Sequence, residues 1–190
     1  MSTHRYHLRR QELIADALNC IAQFDHVSVR QLAFWLYAKD DASALASTHR
    51  LVRVMLAKKL VLLRRAGDGV HRYILTRYGA GKVGIKHGYD LSLLNAHLYN
   101  EIFHFLTVMH HQGFNVFGRG RIRREFPNFR DANGLVLDTV DDGFALVYIR
   151  NNTSATQSRI QRLKKLIEVR GLGHENLLKQ LNVRQARTSD

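Results

Sequence analysis

The chain of 190 residues is 45% hydrophobic and 24% charged, ordinary for a folded protein and enough for one good core or two small ones. Its 29 Lys and Arg outnumber 16 Asp and Glu, and the net charge of +13 favours a polyanionic partner, nucleic acid before membrane. No apolar run approaches the roughly 20 residues of a bilayer span, and "MSTHRYHLRRQE" lacks the apolar core of a signal peptide, so the expected setting is cytoplasmic, with the nucleoid and without membrane.

Residues 9 to 24, "RRQELIADALNCIAQF", set Leu13, Ile14, Ala17, Leu18, Ile21 and Phe24 on one face at helical spacing. Cys20 lies beside that stripe as a small core residue. A lone cysteine excludes an internal disulfide and a multi-cysteine zinc site. "SVRQLAFWLY" begins a second, shorter helix with Ser28 as N-cap, burying Leu32, Leu36 and one or more of Phe34, Trp35 and Tyr37. A third helix follows in "DDASALASTHRLVRVMLAKKL", capped by Asp41 or Ser43, with Leu45, Val52, Met55 and Leu56 along one side and Leu51 at its margin. Its other face carries Ser43, Ala46, Ser47, Arg50, Arg53, Val54 and Ala57.

"LVLLRR" and "HRYILT" have the aliphatic and aromatic content of strands, and Gly67, Asp68 and Gly69 between them tolerate the positive φ of a hairpin turn. Three helices followed by a hairpin form the winged helix-turn-helix arrangement. In it the third helix enters a major groove, where small side chains permit close approach and arginine can take guanine bidentately. The expected DNA contacts are Ser43, Ser47, Arg50 and Arg53 from that helix and Arg64, Arg65, His71 and Arg72 from the basic wing. "LTRYGAGKVG" then starts a helix capped by Thr76; its glycines do not match a phosphate loop. Residues 85 to 94 read as a connector, dividing the chain into a DNA-binding domain at 1 to 88 and a second module at 89 to 183, with a disordered tail at 184 to 190.

The second half opens on a helix from Ser92, burying Leu94, Leu98, Ile102, Phe105 or Leu106, and Met109. His97, Glu101 and His104 share a face but lack the order of a metalloprotease motif, and a polar helix face accounts for them. Short strands alternate with turns at Gly120, Asn133-Gly134 and Asp142-Gly143 before a basic helix, "SATQSRIQRLKKLIEV", closes a mixed α/β module. Arg119, Arg121 and Arg123 alternate, so a strand would place them on one face, either a phosphate-binding surface or a solvated edge protected from pairing by its charge; Arg124 adds to that charge. A short helix through Leu177, Leu178 and Leu181 follows.

The hairpin exit "ILTRYGAGKVG", the helix containing "LNAHLYNEIFHFL" and the passage "LVYIRNNTSATQSRIQRLKKL" together resemble the replication-relaxation family of plasmid and mobile-element proteins, over roughly residues 9 to 170. The resemblance implies a restriction-endonuclease-like second module, with an acidic residue in its last strand, a threonine shortly after and a lysine-bearing helix. Thr153, Lys164 and Lys165 fit that pattern, but the strand carries Tyr148 and Arg150 where acids belong. Metal-dependent phosphodiester cleavage needs clustered carboxylates. Asp131 and Asp138, with Glu101 or Glu125, are the remaining candidates, while Asp141 and Asp142 read as turn residues.

The expectation is therefore an α+β protein, a winged helix followed by a degenerate nuclease-like module, that binds double-stranded DNA in transcriptional regulation or in plasmid and mobile-element replication. It needs no cofactor, metal or small-molecule substrate, and a homodimer would read paired half-sites. The rivals are a metal-dependent nuclease and an adaptor whose winged helix binds protein.

Overall fold

The computed structural model describes residues 2–66, 69–86, 100–125, 133–137, 144–149 and 167–172. The chain divides into two compact units, Met1–His97 and Leu98–Asp190. Among the described residues there are six helices and two antiparallel sheets, a mixed α+β protein. None of those helices is long and apolar enough to cross a membrane.

Unit 1 runs α1 (Ser2–Phe24), α2 (Val29–Tyr37), α3 (Ala42–Ala57), β1 (Val61–Arg65), β2 (His71–Leu75) and α4 (Arg77–Lys82). The first stripe forms in part: Ala17, Leu18 and Ile21 are buried, with Cys20, while Leu13, Ile14 and Phe24 are half-buried, and Phe24 meets Trp35 edge-on at 5.6 Å, joining α1 to α2. Trp35 is thus the aromatic that α2 buries, with Leu32 and Ala33, whereas Leu36 is half-buried. Ser28 caps α2 through a reciprocal box, its Oγ accepting from the Gln31 amide at 3.2 Å while Gln31 Oε1 accepts from the Ser28 amide at 2.8 Å. For α3 the cap is Asp41, which accepts from the Ala44 amide at 2.8 Å.

The buried stripe of α3 is rotated from the expected one. Ala44, Thr48, Leu51, Val52 and Met55 are buried, while Leu45 and Leu56 are half-buried. A hydroxyl can enter the core because Thr48 Oγ1 donates to the Ala44 carbonyl at 2.8 Å.

β1 and β2 pair antiparallel from Val61↔Leu75 to Arg65↔His71. The segment between α1 and α2 adds a further bridge, with the Val27 amide on the Tyr73 carbonyl at 3.1 Å and the Tyr73 amide on the Val27 carbonyl at 2.7 Å. β2 therefore lies between two neighbours and is buried from Arg72 to Leu75, while β1 is exposed from Leu62 onward. Thr76 caps α4 as expected and ties it to the link between α3 and β1: its Oγ1 accepts from Gly79 at 2.9 Å and donates to the Lys59 carbonyl at 2.6 Å.

Unit 2 runs α5 (Asn100–His111), β3 (Asn115–Gly118), α6 (Arg119–Glu125), β4 (Gly134–Leu137), β5 (Phe144–Ile149) and β6 (Ile167–Leu172), the strands forming one antiparallel sheet in chain order. α5 buries Ile102, Phe103, Leu106 and Met109. Three expectations are corrected. Residues 119–125 are helix, not strand: arginine is a good helix former, and Arg121 reaches Glu125 one turn on at 2.8 Å. Gly120 is therefore helical, and Gly134 opens β4 instead of a turn. A side chain at position 134 would begin 2.8 Å from Leu106 Cδ1, so glycine lets the sheet lie close on α5. Ile167–Val169, expected to end the basic helix, are strand. The expectations at Leu94, His97, Leu98, Asp131, Asp138, Asp141, Asp142, Gly143, Arg150, Thr153, Lys164, Lys165, Leu177, Leu178, Leu181 and the 184–190 tail lie outside the described residues.

Candidate nucleic-acid interface

The interface expected from sequence begins on α3, a helix about 24 Å long at 1.5 Å per residue. Ser43, Ala46, Arg50, Arg53 and Ala57 are exposed as expected, but Ser47 and Val54 are half-buried and His49 is exposed as well: with the core stripe rotated, the outward face is centred on Ala46, His49 and Arg53, and the expected one lies on its flank. Ser43, Ser47, Arg50, Val54 and Ala57 recur at alternating steps of four and three, forming one stripe along the helix. Arg50 Nη2 donates to Ser47 Oγ at 3.3 Å, so the guanidinium lies along that stripe.

The carboxylates at the head of α3 sit beside cations. Asp40 pairs with Arg30 at 3.2 Å and Asp41 with Lys39 at 2.8 Å. The Lys39 ammonium, then the Ala44 amide, hold the Asp41 carboxyl below the usual carboxylate range. From there to Asp68 the sequence contains no acidic residue. Arg50, Arg53, Lys58, Lys59, Arg64 and Arg65 are all exposed in that interval, a set of cations uninterrupted by carboxylate.

At the hairpin tip the Ala66 amide donates to the Val70 carbonyl and the Gly69 amide to the Ala66 carbonyl, both at 2.9 Å. Gly69 adopts φ +78°, where a side chain would be strained, and the Arg65 guanidinium reaches within 3.9 Å of where its Cβ would begin. Gly67 and Asp68 lie outside the described residues. Arg64, Arg65 and His71 are exposed as expected. Arg72 is not: it is 1% exposed, and its Nη1 donates to Gln31 Oε1 at 3.1 Å. Its burial follows from β2 packing against α2, where Gln31 receives the guanidinium, whereas β1 is exposed from Leu62 onward.

The arginines of unit 2 do not form the expected single strand face. On α6, Arg119 and Arg123 are one turn apart, and Arg121 stacks its guanidinium 3.9 Å above the Phe117 ring while bonding Glu125. All three are half-buried. Arg121 thus has a local packing role that alternation in the sequence does not reveal.

Sequence reasoning missed the surface of α4. Lys82 lies 5.1 Å from the centre of the exposed Tyr78 ring, and Arg77, Gly81, Ile85 and Lys86 line an open concavity of about 520 Å³. Among the described residues no three His, Cys, Asp or Glu side chains gather as a metal site. Glu101 and His104 are both on α5.

No protein-family model, curated protein or solved structure matches the chain.

Proposed function

We propose that unit 1 is a winged helix-turn-helix domain that binds double-stranded DNA, with α3 in the major groove and the β1–β2 hairpin as the wing. The observation that carries this reading is the acid-free interval after Asp41, in which Arg50, Arg53, Lys58, Lys59, Arg64 and Arg65 are all exposed. A solvated helix usually mixes charges of both sign; this one joins small side chains to arginines and continues into a basic hairpin. Ser43, Ser47, Arg50 and Arg53 contact bases or groove-edge phosphates, while Arg64, Arg65 and His71 contact flanking phosphates. The resemblance to the replication-relaxation family favours a role in plasmid or mobile-element replication, or in the associated transcriptional control. The second unit then serves as a non-catalytic relative of the nuclease fold, for dimerisation, a partner or further DNA contact.

Selection of bound fragments from random duplex DNA tests the reading directly, and failure to bind any duplex at low salt would sink it in favour of a protein-binding adaptor. Replacing both Arg64 and Arg65 by alanine is expected to flatten the salt dependence of duplex affinity by about one to two units of slope. Arg50→Ala should relax preference at one base pair; equal loss on every sequence would make it a phosphate contact. Magnesium- or manganese-dependent nicking of plasmid DNA, abolished by Asp131→Asn, would overturn the non-catalytic role of unit 2.

A further inference from the structure

Arginine keeps its charge inside a protein, so a guanidinium in a core is costly unless its geometry is used. Arg72 is the largest fully buried side chain among the described residues. Its Nη1 donates to Gln31 Oε1 at 3.1 Å, and the same oxygen accepts the Ser28 amide at 2.8 Å. The second residue of β2 is thereby tied to the first turn of α2. One residue further along β2, and four residues before Gln31, the paired hydrogen bonds of Val27 and Tyr73 form a second tie, at 3.1 and 2.7 Å. Arg72 also pairs across the hairpin with Arg64, and the neighbouring pair is Arg65 with His71. The exposed arginines of the hairpin therefore begin at the position where the strand is held.

We propose that Arg72 is a positioning residue: through Gln31 it sets the angle at which the hairpin leaves α2 and α3, so that Arg64 and Arg65 meet the duplex that α3 reads. This role rests on the duplex-binding reading of unit 1. An apolar side chain would fill the same space without direction, whereas the planar guanidinium bonds along fixed vectors. The tie ends on an oxygen that also closes the α2 capping box, so a shift of the hairpin would disturb the start of the helix preceding α3.

The test uses full-length protein and two measurements, the salt slope of duplex affinity and hydrogen exchange at the Val27 and Tyr73 amides. Gln31→Met removes no charge, yet it is expected to lower the slope by about one to two units, as the Arg64→Ala, Arg65→Ala double variant does. It should add nothing further to the slope when combined with that double variant, and both amides should exchange faster. Gln31→Glu, which keeps an acceptor oxygen, is expected to retain the slope. Ser28→Ala, which weakens the α2 cap but leaves the Gln31 and Arg72 side-chain bond in place, should retain it too. A Gln31→Met protein with parental slope overturns the proposal whatever its exchange, and whether or not Arg72→Met folds. Were the parent protein itself to bind no duplex, the DNA reading would fall and the positioning role with it; faster exchange in Gln31→Met would then mark a structural tie alone.

Discussion

A side chain at position 79 has nowhere to go, because its Cβ would overlap the Leu60 carbonyl oxygen that also receives the Thr76 amide at 3.0 Å. Gly79→Ala is therefore expected to destabilise unit 1 by about 1–3 kcal/mol, read as a Tm lower by several degrees. An unchanged Tm would mean that the helix and strand end can separate freely. Ala38 presents the opposite case. It follows α2 at φ +55°, a conformation that glycine adopts without strain, and its amide bonds the Phe34 carbonyl at 2.9 Å. Ala38→Gly should raise stability by up to about 1 kcal/mol in a urea titration; a loss would show that the methyl group packs. Burial pushes the Cys20 thiol well above its ordinary value, so alkylation should be slow in the native protein and fast once α1 is unfolded. Neither the overlap at Gly79 nor the helix end at Ala38 is legible in sequence, since both depend on backbone that the side-chain pattern does not encode.

Among the elements, α3 shows how local chemistry and packing divide the work. Its cap was legible to a choice between Asp41 and Ser43, because such a residue bonds an amide within the same segment; Asp41 takes the role, accepting from the amide three residues on. Its buried stripe was legible only to within one position, because α1 and α2 decide which flank of the helix they cover. The cap carries a pH signature. With the Asp41 carboxyl lowered in the folded protein by Lys39 and the Ala44 amide, its contribution is complete above the ordinary carboxylate range and is lost as pH falls through the lower, folded value. Asp41→Asn keeps an acceptor that does not titrate. Between pH 6 and pH 3, roughly spanning the carboxylate range, the parent should lose more stability than this variant; parallel losses would remove Asp41 from the acid sensitivity. The hairpin gives the complementary lesson. Its turn and strands follow from glycine and aliphatic content, but which strand is covered depends on Val27, distant in sequence from β2.

For the whole molecule, charge is the property that composition determines and tertiary structure distributes. The net +13 implies attraction to polyanions, and affinity for duplex DNA is expected to fall linearly with salt on logarithmic axes, measured by fluorescence anisotropy. Unit 1 carries exposed cations in an acid-free interval, whereas Arg121 in unit 2 is engaged with Phe117 and Glu125. Arg121 should therefore contribute little to duplex affinity: Arg121→Ala is expected to lower the stability of unit 2 by roughly 1 kcal/mol, from the lost cation–π contact and ion pair, with little change in salt slope. A slope reduced by a full unit without loss of stability would place Arg121 on a phosphate.

The sequence by itself determined the order of helices in unit 1 (though not the start of α1 at Ser2), the caps at Ser28 and Thr76, the choice of Asp41 or Ser43 for α3, the hairpin and the basic character of its outer strand. Those features arise from contacts within a few residues or from periodicities that a single segment expresses. Tertiary structure alone decided that Arg72 goes inward while Arg64, its cross-strand partner, stays out, and that the arginines after β3 wind into a helix. Alternation records which residues share a face of a strand; it carries no information about which neighbour, brought from elsewhere in the chain, will cover that face and exclude water from it.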